Sequence, residues 1–440
     1  MESIQAETEL KETEIGLMPV DWVAIRLRDC IDLETGKRMK GGALLQGEVP
    51  SIGGEHIDEW GRINWKDMKF ISSDFYDTLK QGKVKVNDVL IVKDGALTGK
   101  VAIARRSLPE KCAVNEHVFI VRCKRTDRIL SEFLFFYLFS SMGQKQIRMN
   151  FHGLIGGIKR EDILAIRVPL PSLHEQQKIA FVLSKIQQAI EQQDKIIEAT
   201  KNLKRSLMQK LFTEGTRRKE QKESELGLIP EDWQLLKLKD VCDLKNGINF
   251  TREQKGNTGM LTIDVLNMYN EGLYVNLQNL YRVNKKIPDE YLLRKGDILF
   301  VRSSLKKEGV GWACLFKDVN EPVTFCGFII RARLKSPNIF PEFLAYFLRS
   351  IIVREKLISS SGKVTITNVN QGMLGTLAIP IPPLHEQREI ANTLSLIDKK
   401  IEIEERRKAT LEQLFKTTLN KLMTGEIRVK DLDLGVINVS

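Results

Sequence analysis

The side chains in this chain with most to offer chemically are gathered in short stretches where basic, hydroxyl and amide groups stand beside glycine. In the first half, Lys37, Arg38 and Lys40 fall within Gly36–Gly42, Lys93, Thr98 and Lys100 within Lys93–Lys100, and Lys159 and Arg160 form a pair. In the second half, Lys245, Asn246 and Asn249 lie together with Arg252 just beyond. Arg302, Ser303, Ser304, Lys306 and Lys307 make a second group, and Lys363, Thr365 and Thr367 a third. Lysine, arginine, serine and threonine neutralise or hydrogen-bond phosphates, while arginine, lysine and asparagine read base edges in a major groove. Solvated loops of any protein carry such residues, so the sets weigh more than their members. The formal charge of +11 fits a polyanionic partner.

Other chemistries find little support. The six cysteines (Cys30, Cys112, Cys123, Cys242, Cys314 and Cys326) contain no CxxC pair and stand apart from the five histidines, which suits buried thiols rather than a zinc site. The stretch Asp94–Val101 fails the phosphate-loop pattern twice, at its first glycine and at its final Ser/Thr. Neither a glycine-rich methyl-donor loop nor an Asn/Asp-Pro-Pro-aromatic motif is found. Fragments such as Asp67-Met68-Lys69 or Glu253-Gln254-Lys255 are expected by chance at a charged content of 28%. His174 and His385 suit a capping or subunit-contact role better than catalysis. Apolar runs such as Phe133–Phe139 fall far short of the roughly 20 residues that span a bilayer, and the acidic start, Met1–Leu10, does not suit a secretory signal. No catalytic residue and no metal ligand is expected, and the place of action is expected to be the cytoplasm.

The elements that must position these loops come in two copies. Glu14-Ile15-Gly16-Leu17-Met18-Pro19-Val20-Asp21-Trp22 recurs as Glu225-Leu226-Gly227-Leu228-Ile229-Pro230-Glu231-Asp232-Trp233. Val168-Pro169-Leu170-Pro171-Ser172-Leu173-His174-Glu175-Gln176 recurs as Ile379-Pro380-Ile381-Pro382-Pro383-Leu384-His385-Glu386-Gln387. The offset is 211 in both (233 − 22 and 385 − 174). Val86–Lys93 corresponds more loosely to Lys295–Arg302. Asp433–Ile437 echoes Glu225–Ile229, as though a third copy were starting, which suggests a C-terminus that returns toward the N-terminus. A period this long means two whole domains of one design rather than a solenoid.

Each Pro/Ser-Leu-His-Glu-Gln element opens a long stretch free of proline and glycine, about Ser172–Glu214 and Pro383–Thr424, ended by Gly215 and Gly425. Ser172 with Glu175 fits a capping box, and Pro383 suits a first helical position. Ile179, Leu183, Ile186 and Ile190, then Leu203, Leu207 and Leu211, mark one apolar stripe. Ile390, Leu394, Ile397 and Ile401, then Leu411, Leu414 and Leu422, mark the other. These are coiled-coil seams, weakened at Gln193 and Glu404, and two such helices bury their stripes most simply against each other, antiparallel. Between them, Val84–Val92, Val101–Ala104, Val118–Val121 and Asp297–Val301 read as strands, and Phe133–Phe139 and Pro341–Leu348 as short buried helices.

The paired Pro-Leu-His-Glu-Gln and Gly-Leu-Ile-Pro-Glu-Asp-Trp elements, with Asp88–Lys93 and Asp297–Arg302, resemble the specificity subunits of Type I restriction–modification enzymes over essentially the whole chain. The resemblance implies an α+β fold: two α/β target recognition domains in pseudo-twofold arrangement, separated by two long antiparallel coiled-coil helices. The expected boundaries are 1–171 for the first domain (with an acidic tail about 1–13), 172–215 for the first helix, 216–382 for the second domain, 383–425 for the second helix and 426–440 for a returning tail. The resemblance also implies that each domain reads one half of an asymmetric, bipartite site on double-stranded DNA while the helices set the spacer. Two modification (methyltransferase) subunits and the restriction subunits would dock on this frame. S-adenosylmethionine, ATP and magnesium would belong to those partners, with no cofactor in this chain. The alternative is a non-catalytic coiled-coil adaptor that binds only proteins.

Overall fold

Alternation of apolar residues in Val89–Val92 sends Val89 and Ile91 to one side of a sheet and Leu90 and Val92 to the other, and all four are buried. The same holds for Ile298–Val301, whose Ile298 and Phe300 face one core and Leu299 and Val301 another. A strand buried on both faces belongs at the middle of a layered domain, and two such domains are present in a computed structural model that describes residues 9–152, 157–217, 219–360 and 367–432. The chain divides into one unit of Met1–Gln193 with Arg407–Ser440 and another of Asp194–Arg406. Both units therefore draw on both long helices.

In the first unit an antiparallel sheet runs in the order Ile31–Thr35, Val118–Cys123, Val89–Val92, Val101–Ile103. A second sheet, Lys69–Ile71, Val49–Ile52 and Ala113–Val114, closes one of its faces. The helices Ser131–Phe139 and Ser141–Met149 contribute to the core on the other. The expected strand at Val84–Val92 starts only at Val89, because Asn87 takes a positive φ of 71° and turns the chain. Leu10–Thr13, expected as acidic tail, is a strand paired with Gly16–Pro19. The second unit repeats the plan with Cys242–Asn246, Ile329–Leu334, Ile298–Val301 and Ala313–Leu315, and with Pro341–Leu348 as its buried helix. Its second sheet has four strands, Lys255–Gly256, Tyr281–Val283, Met260–Ile263 and Val323–Phe325.

The aspartate before each central strand has a defined task. Buried Asp88 accepts from the Lys85 amide and takes two bonds from Arg122 (2.8 and 2.7 Å). Buried Asp297 accepts from the Arg294 amide and takes two from Arg333 (2.8 and 2.7 Å). Such forked pairs tie neighbouring strands at their ends.

The long helices are Leu173–Glu214 and Leu384–Thr424. In the first unit, residues 173–193 of one share a core with residues 407–424 of the other: Ile179, Leu183 and Ile190 with Phe415, Leu419, Leu422 and Met423. In the second unit Met208, Leu211 and Phe212 share a core with Ile390, Ala391 and Leu394. The ion pairs Lys201–Glu405 (3.0 Å) and Lys204–Asp398 (2.5 Å) match a rising number on one helix to a falling one on the other, so the pairing is antiparallel. Two expected seam residues are corrected: Leu203 is 58% exposed and Leu414 49%. Two four-residue steps back from Leu211 overshoot two 3.6-residue turns at Leu203, and one three-residue step on from Leu411 falls short of a turn at Leu414, so the buried face passes through Lys204 and Phe415 instead. Ile186, Leu207, Ile397 and Leu411 are half-buried, and Gln193, Ile401 and Glu404 are buried. Gly215 (φ 75°) and Gly425 (φ 72°) end the helices in a left-handed conformation, and a Cβ on Gly425 would stand 2.2 Å from Pro19.

Candidate nucleic-acid interface and its anchoring sites

The two motifs that flank each repeat meet. Trp22 donates its indole N–H to Glu175 Oε2 at 3.3 Å, and Trp233 donates to Glu386 Oε2 at 3.1 Å, with a chain separation of 153 in both. A cation from just beyond the other long helix completes each site. Arg428 places its guanidinium on Glu175 (2.8 and 2.8 Å) and on Asp21 (2.9 and 2.7 Å). Lys219 bridges Glu386 and Asp232, each at 2.7 Å, and the Thr216 amide donates to Glu386 at 3.0 Å. The Asp-Trp of one motif and the Glu of the other are thus halves of one anchor. The expected capping box at Ser172 forms only in part: the Glu175 amide donates to Ser172 Oγ at 3.2 Å, while the Glu175 carboxylate serves Trp22 and Arg428 instead.

The charges respond to this packing. Hydrogen bonds to Glu175 and Asp21 push the Arg428 guanidinium upward, and Arg428 in turn holds Asp21 below the usual carboxylate range. At Glu386 burial opposes ionisation, but Lys219, the Thr216 amide and Trp233 together hold its carboxyl below the ordinary value. The glutamine that follows each glutamate ties the helix start to its own domain. Gln176 bonds Arg128 O, Pro171 O and the Leu130 amide, and Gln387 bonds Asn338 O, Pro382 O and the Phe340 amide. His174 and His385 are exposed in the first helical turns. All six cysteines are unpaired, and burial pushes the Cys30, Cys112, Cys242 and Cys326 thiols up to about 12.

The basic loops of the first unit gather only in part. Lys37 and Arg38 line an open cavity of 410 Å³ with Lys69, Asn115 and His117, beside Glu55 and Glu116. Lys69 reaches Glu55 at 2.7 Å, and His117 Nδ1 lies 2.5 Å from Asp94. Lys40 is exposed on the same loop. The Lys93 ammonium lies 5.5 Å from the Phe119 ring centre. Thr98 Oγ1 donates to Gly95 O at 2.6 Å and braces its own loop, while Lys100 donates to Ile57 O at 2.8 Å and Arg160 to Leu33 O, which ties their segments to other parts of the unit. Lys159 is exposed at the start of a short helix, where its amide donates to Asp162.

In the second unit Lys245 pairs with Glu290 at 2.9 Å and lies over Tyr291. Asn246 is half-buried, while Asn249 and Arg252 are exposed. Ser303–Ser304 pairs with Thr367–Asn368, which brings two of the noted groups onto one strand pair. Arg302 donates to Gly327 O at 3.2 Å, and Ser303 bonds Asn368. Ser304 is corrected from contact to support, because it is buried and accepts from Tyr269 at 3.1 Å and from the Lys306 amide. Lys306 and Lys307 are exposed around Leu305, itself 84% exposed. Lys363 and Thr365 lie outside the described residues. Sequence reasoning missed Lys69, Asn115 and His117, which stand in no glycine-rich stretch, and Lys219 and Arg428, whose roles depend on contacts distant in sequence.

Two layered α/β domains, each mounted on an antiparallel helix pair and anchored by one Trp–Glu–cation site, define a duplicated recognition scaffold. The family described as the Type I restriction modification DNA specificity domain matches residues 19–201 and again 230–413, and the chain belongs to that family. It is a specificity subunit of a Type I restriction–modification system, a class that leaves catalysis to other subunits. It is similar to the Type I restriction enzyme MjaVIII specificity subunit of Methanocaldococcus jannaschii, with 29% identity over 97% of this chain and 98% of that one. The EcoKI specificity subunit of Escherichia coli K12 is 25% identical over 46% of this chain and 44% of its own. Among solved structures, a chain from a study of assembly and conformational transition in a type I R-M system has a TM-score of 0.57 at 18% identity, covering 93% of this chain and 99% of that one. The S subunit from M. genitalium has a TM-score of 0.55 at 16% identity, covering 96% and 97%. These two share the fold. Among the described residues no helix is long and apolar enough to cross a membrane.

Proposed function

We propose that the two domains read the two halves of an asymmetric DNA site and that the two long helices set the unspecified spacer between the halves. The observation that carries this reading is the family match falling twice in one chain, on domains alike in frame and unlike in their loops. The frame repeats down to the Trp–Glu anchors, whereas equivalent loops differ: Lys37, Arg38 and Lys40 follow Ile31–Thr35 where Ile248, Asn249 and Thr251 follow Cys242–Asn246, and Lys93-Asp94-Gly95-Ala96 follows Val89–Val92 where Arg302-Ser303-Ser304-Leu305 follows Ile298–Val301. Basic side chains supply phosphate contacts and bidentate guanine readout, and an exposed leucine suits a thymine methyl. The helices of 42 and 41 residues are continuous, about 60 Å each at 1.5 Å per residue.

In this reading two modification subunits dock on the frame and restriction subunits join them. S-adenosylmethionine, ATP and magnesium serve on those partners, and the assembly works in the prokaryotic cytoplasm. The test is a gel-shift titration on random-sequence duplex over a salt series, alone and with the modification subunit. Affinity that falls steeply and linearly in log–log form supports DNA reading. No binding at low salt, in either mixture, would leave a protein-only adaptor.

A further inference from the structure

The repeat makes certain positions on the two long helices equivalent. Gln187 corresponds to Asp398 (398 − 187 = 211), and Lys204 to Phe415 (415 − 204 = 211). On the buried helices Ser131–Phe139 and Pro341–Leu348, Phe136 corresponds to Tyr346, as the shared Glu-Phe-Leu of 132–134 and 342–344 shows. Each unit therefore has one layer in which these three positions meet, and the two layers are built from opposite chemistry.

In the second unit the layer is polar. Lys204 Nζ lies 2.5 Å from Asp398 Oδ1, Tyr346 donates its hydroxyl to Asp398 Oδ2 at 2.7 Å, and the ammonium stands 5.6 Å from the Tyr346 ring centre. The paired side chains are only 15% and 18% exposed. In the first unit the layer is aromatic. Phe415 is fully buried, with ring centres 6.0 Å from Trp60, 6.2 Å from Phe136 and 6.1 Å from Phe139. Gln187 donates to Trp60 O at 3.0 Å and accepts from Arg105 at 3.1 Å. Glu132 at the edge of this layer is held by Arg105 at 3.6 Å.

Suppose the first helix met its own counterpart from a second copy. The offset would put Lys204 in the place of Phe415, an ammonium among Trp60, Phe136 and Phe139 facing Gln187 and the Arg105 cation. If the second helix met its own kind, Phe415 would take the place of Lys204 and Asp398 would be left without its cation. Each like-with-like pairing strands a largely buried charge, the costliest way to break such a pair. The anchor sites do not discriminate in this way, since each offers a cation to a Trp-bound glutamate whichever helix supplies it.

We propose that these two unlike layers are a pairing selector: the first long helix accepts the second and rejects another copy of itself, so that an assembly carries one domain of each kind. Selection of this sort works by making the wrong partner worse rather than the right one better. The inference concerns assembly alone and stands whether or not the domains read DNA as proposed above.

The test begins with the folded full-length chain carrying a protease site after Glu220, so that each piece keeps its anchor cation when nicked. Nicked protein is mixed with an isotopically heavy nicked copy, in urea just below the unfolding transition, until heavy and light pieces have fully exchanged, and masses are read by native mass spectrometry. The wild type is expected to show only mixed pairs, one N-terminal with one C-terminal piece. Lys204→Phe with Asp398→Gln makes both layers alike, and like-with-like pairs should then rise toward roughly half of all assemblies, the share for partners without preference. Lys204→Asp with Asp398→Lys should restore mixed pairs. Should the first double variant not fold, Phe415→Lys with Gln187→Asp makes the layers alike in the other direction and carries the same expectation. Scrambling in the wild type, or mixed pairs alone in the equalised variants after full exchange, overturns the proposal.

Discussion

A buried carboxylate that serves an indole and a cation at once is the residue on which each anchor turns, and at Glu386 the Thr216 amide joins them. Glu386 has its carboxyl held below the ordinary 4.5 by Lys219 and its other donors, against the opposing effect of burial. A depressed folded value contributes stability above the unfolded pKa, and that contribution is lost as pH falls through the folded one. Wild-type unfolding free energy should therefore decline as pH drops below about 5. Glu386→Gln should lose about 1–3 kcal/mol at pH 7 and show a shallower decline in urea melts across that window; an unchanged slope would remove Glu386 from the account. Arg428→Lys should be tolerated better than Arg428→Met, because Lys219 performs the same service in the second unit, though a lysine gives up the forked contact with Asp21 and Glu175. Circular-dichroism melts of the two variants would show the order. Both motifs were visible in the sequence as repeats. That the tryptophan of one binds the glutamate of the other was not, since nothing in a sequence declares a contact 153 residues long.

At the scale of elements, apolar periodicity places the central strands, the buried helices and both long helices to within a few residues, because those segments are packed on one or two apolar faces and bear its imprint. The misplaced details are those decided by tertiary packing. Leu203 stands four residues before Leu207 and Leu414 three after Leu411, both helical spacings, yet the buried face turns at Lys204 and Phe415, a choice set by Tyr346 on one side and by Trp60 and Phe136 on the other. Phe415→Ala should consequently cost about 3–5 kcal/mol, and Leu414→Ala no more than about 0.5 kcal/mol, in equilibrium denaturation; similar losses at both would contradict the packing described. The candidate contacts were the least legible. Loop residues such as Ser304 and Arg160 carry the right groups but direct them to Tyr269 and Leu33 O, while Lys69 and His117 reach the cavity without any local pattern to announce them.

For the whole molecule the prediction is one of separable parts. Matched seven-residue insertions beside Gln193 and Glu404, about two helical turns each, should lengthen the spacer of the methylated motif and leave the letters of both half-sites unchanged. The measurement that bears most directly on two independent readers is methylation mapping in cells that hold the modification subunit with either the wild-type chain or Lys37→Ala/Arg38→Ala. The account predicts that one half-site relaxes or loses occupancy while the other half-site and the spacer stay as they were. Simultaneous change in both halves, or an unaltered motif at unaltered occupancy, would contradict it.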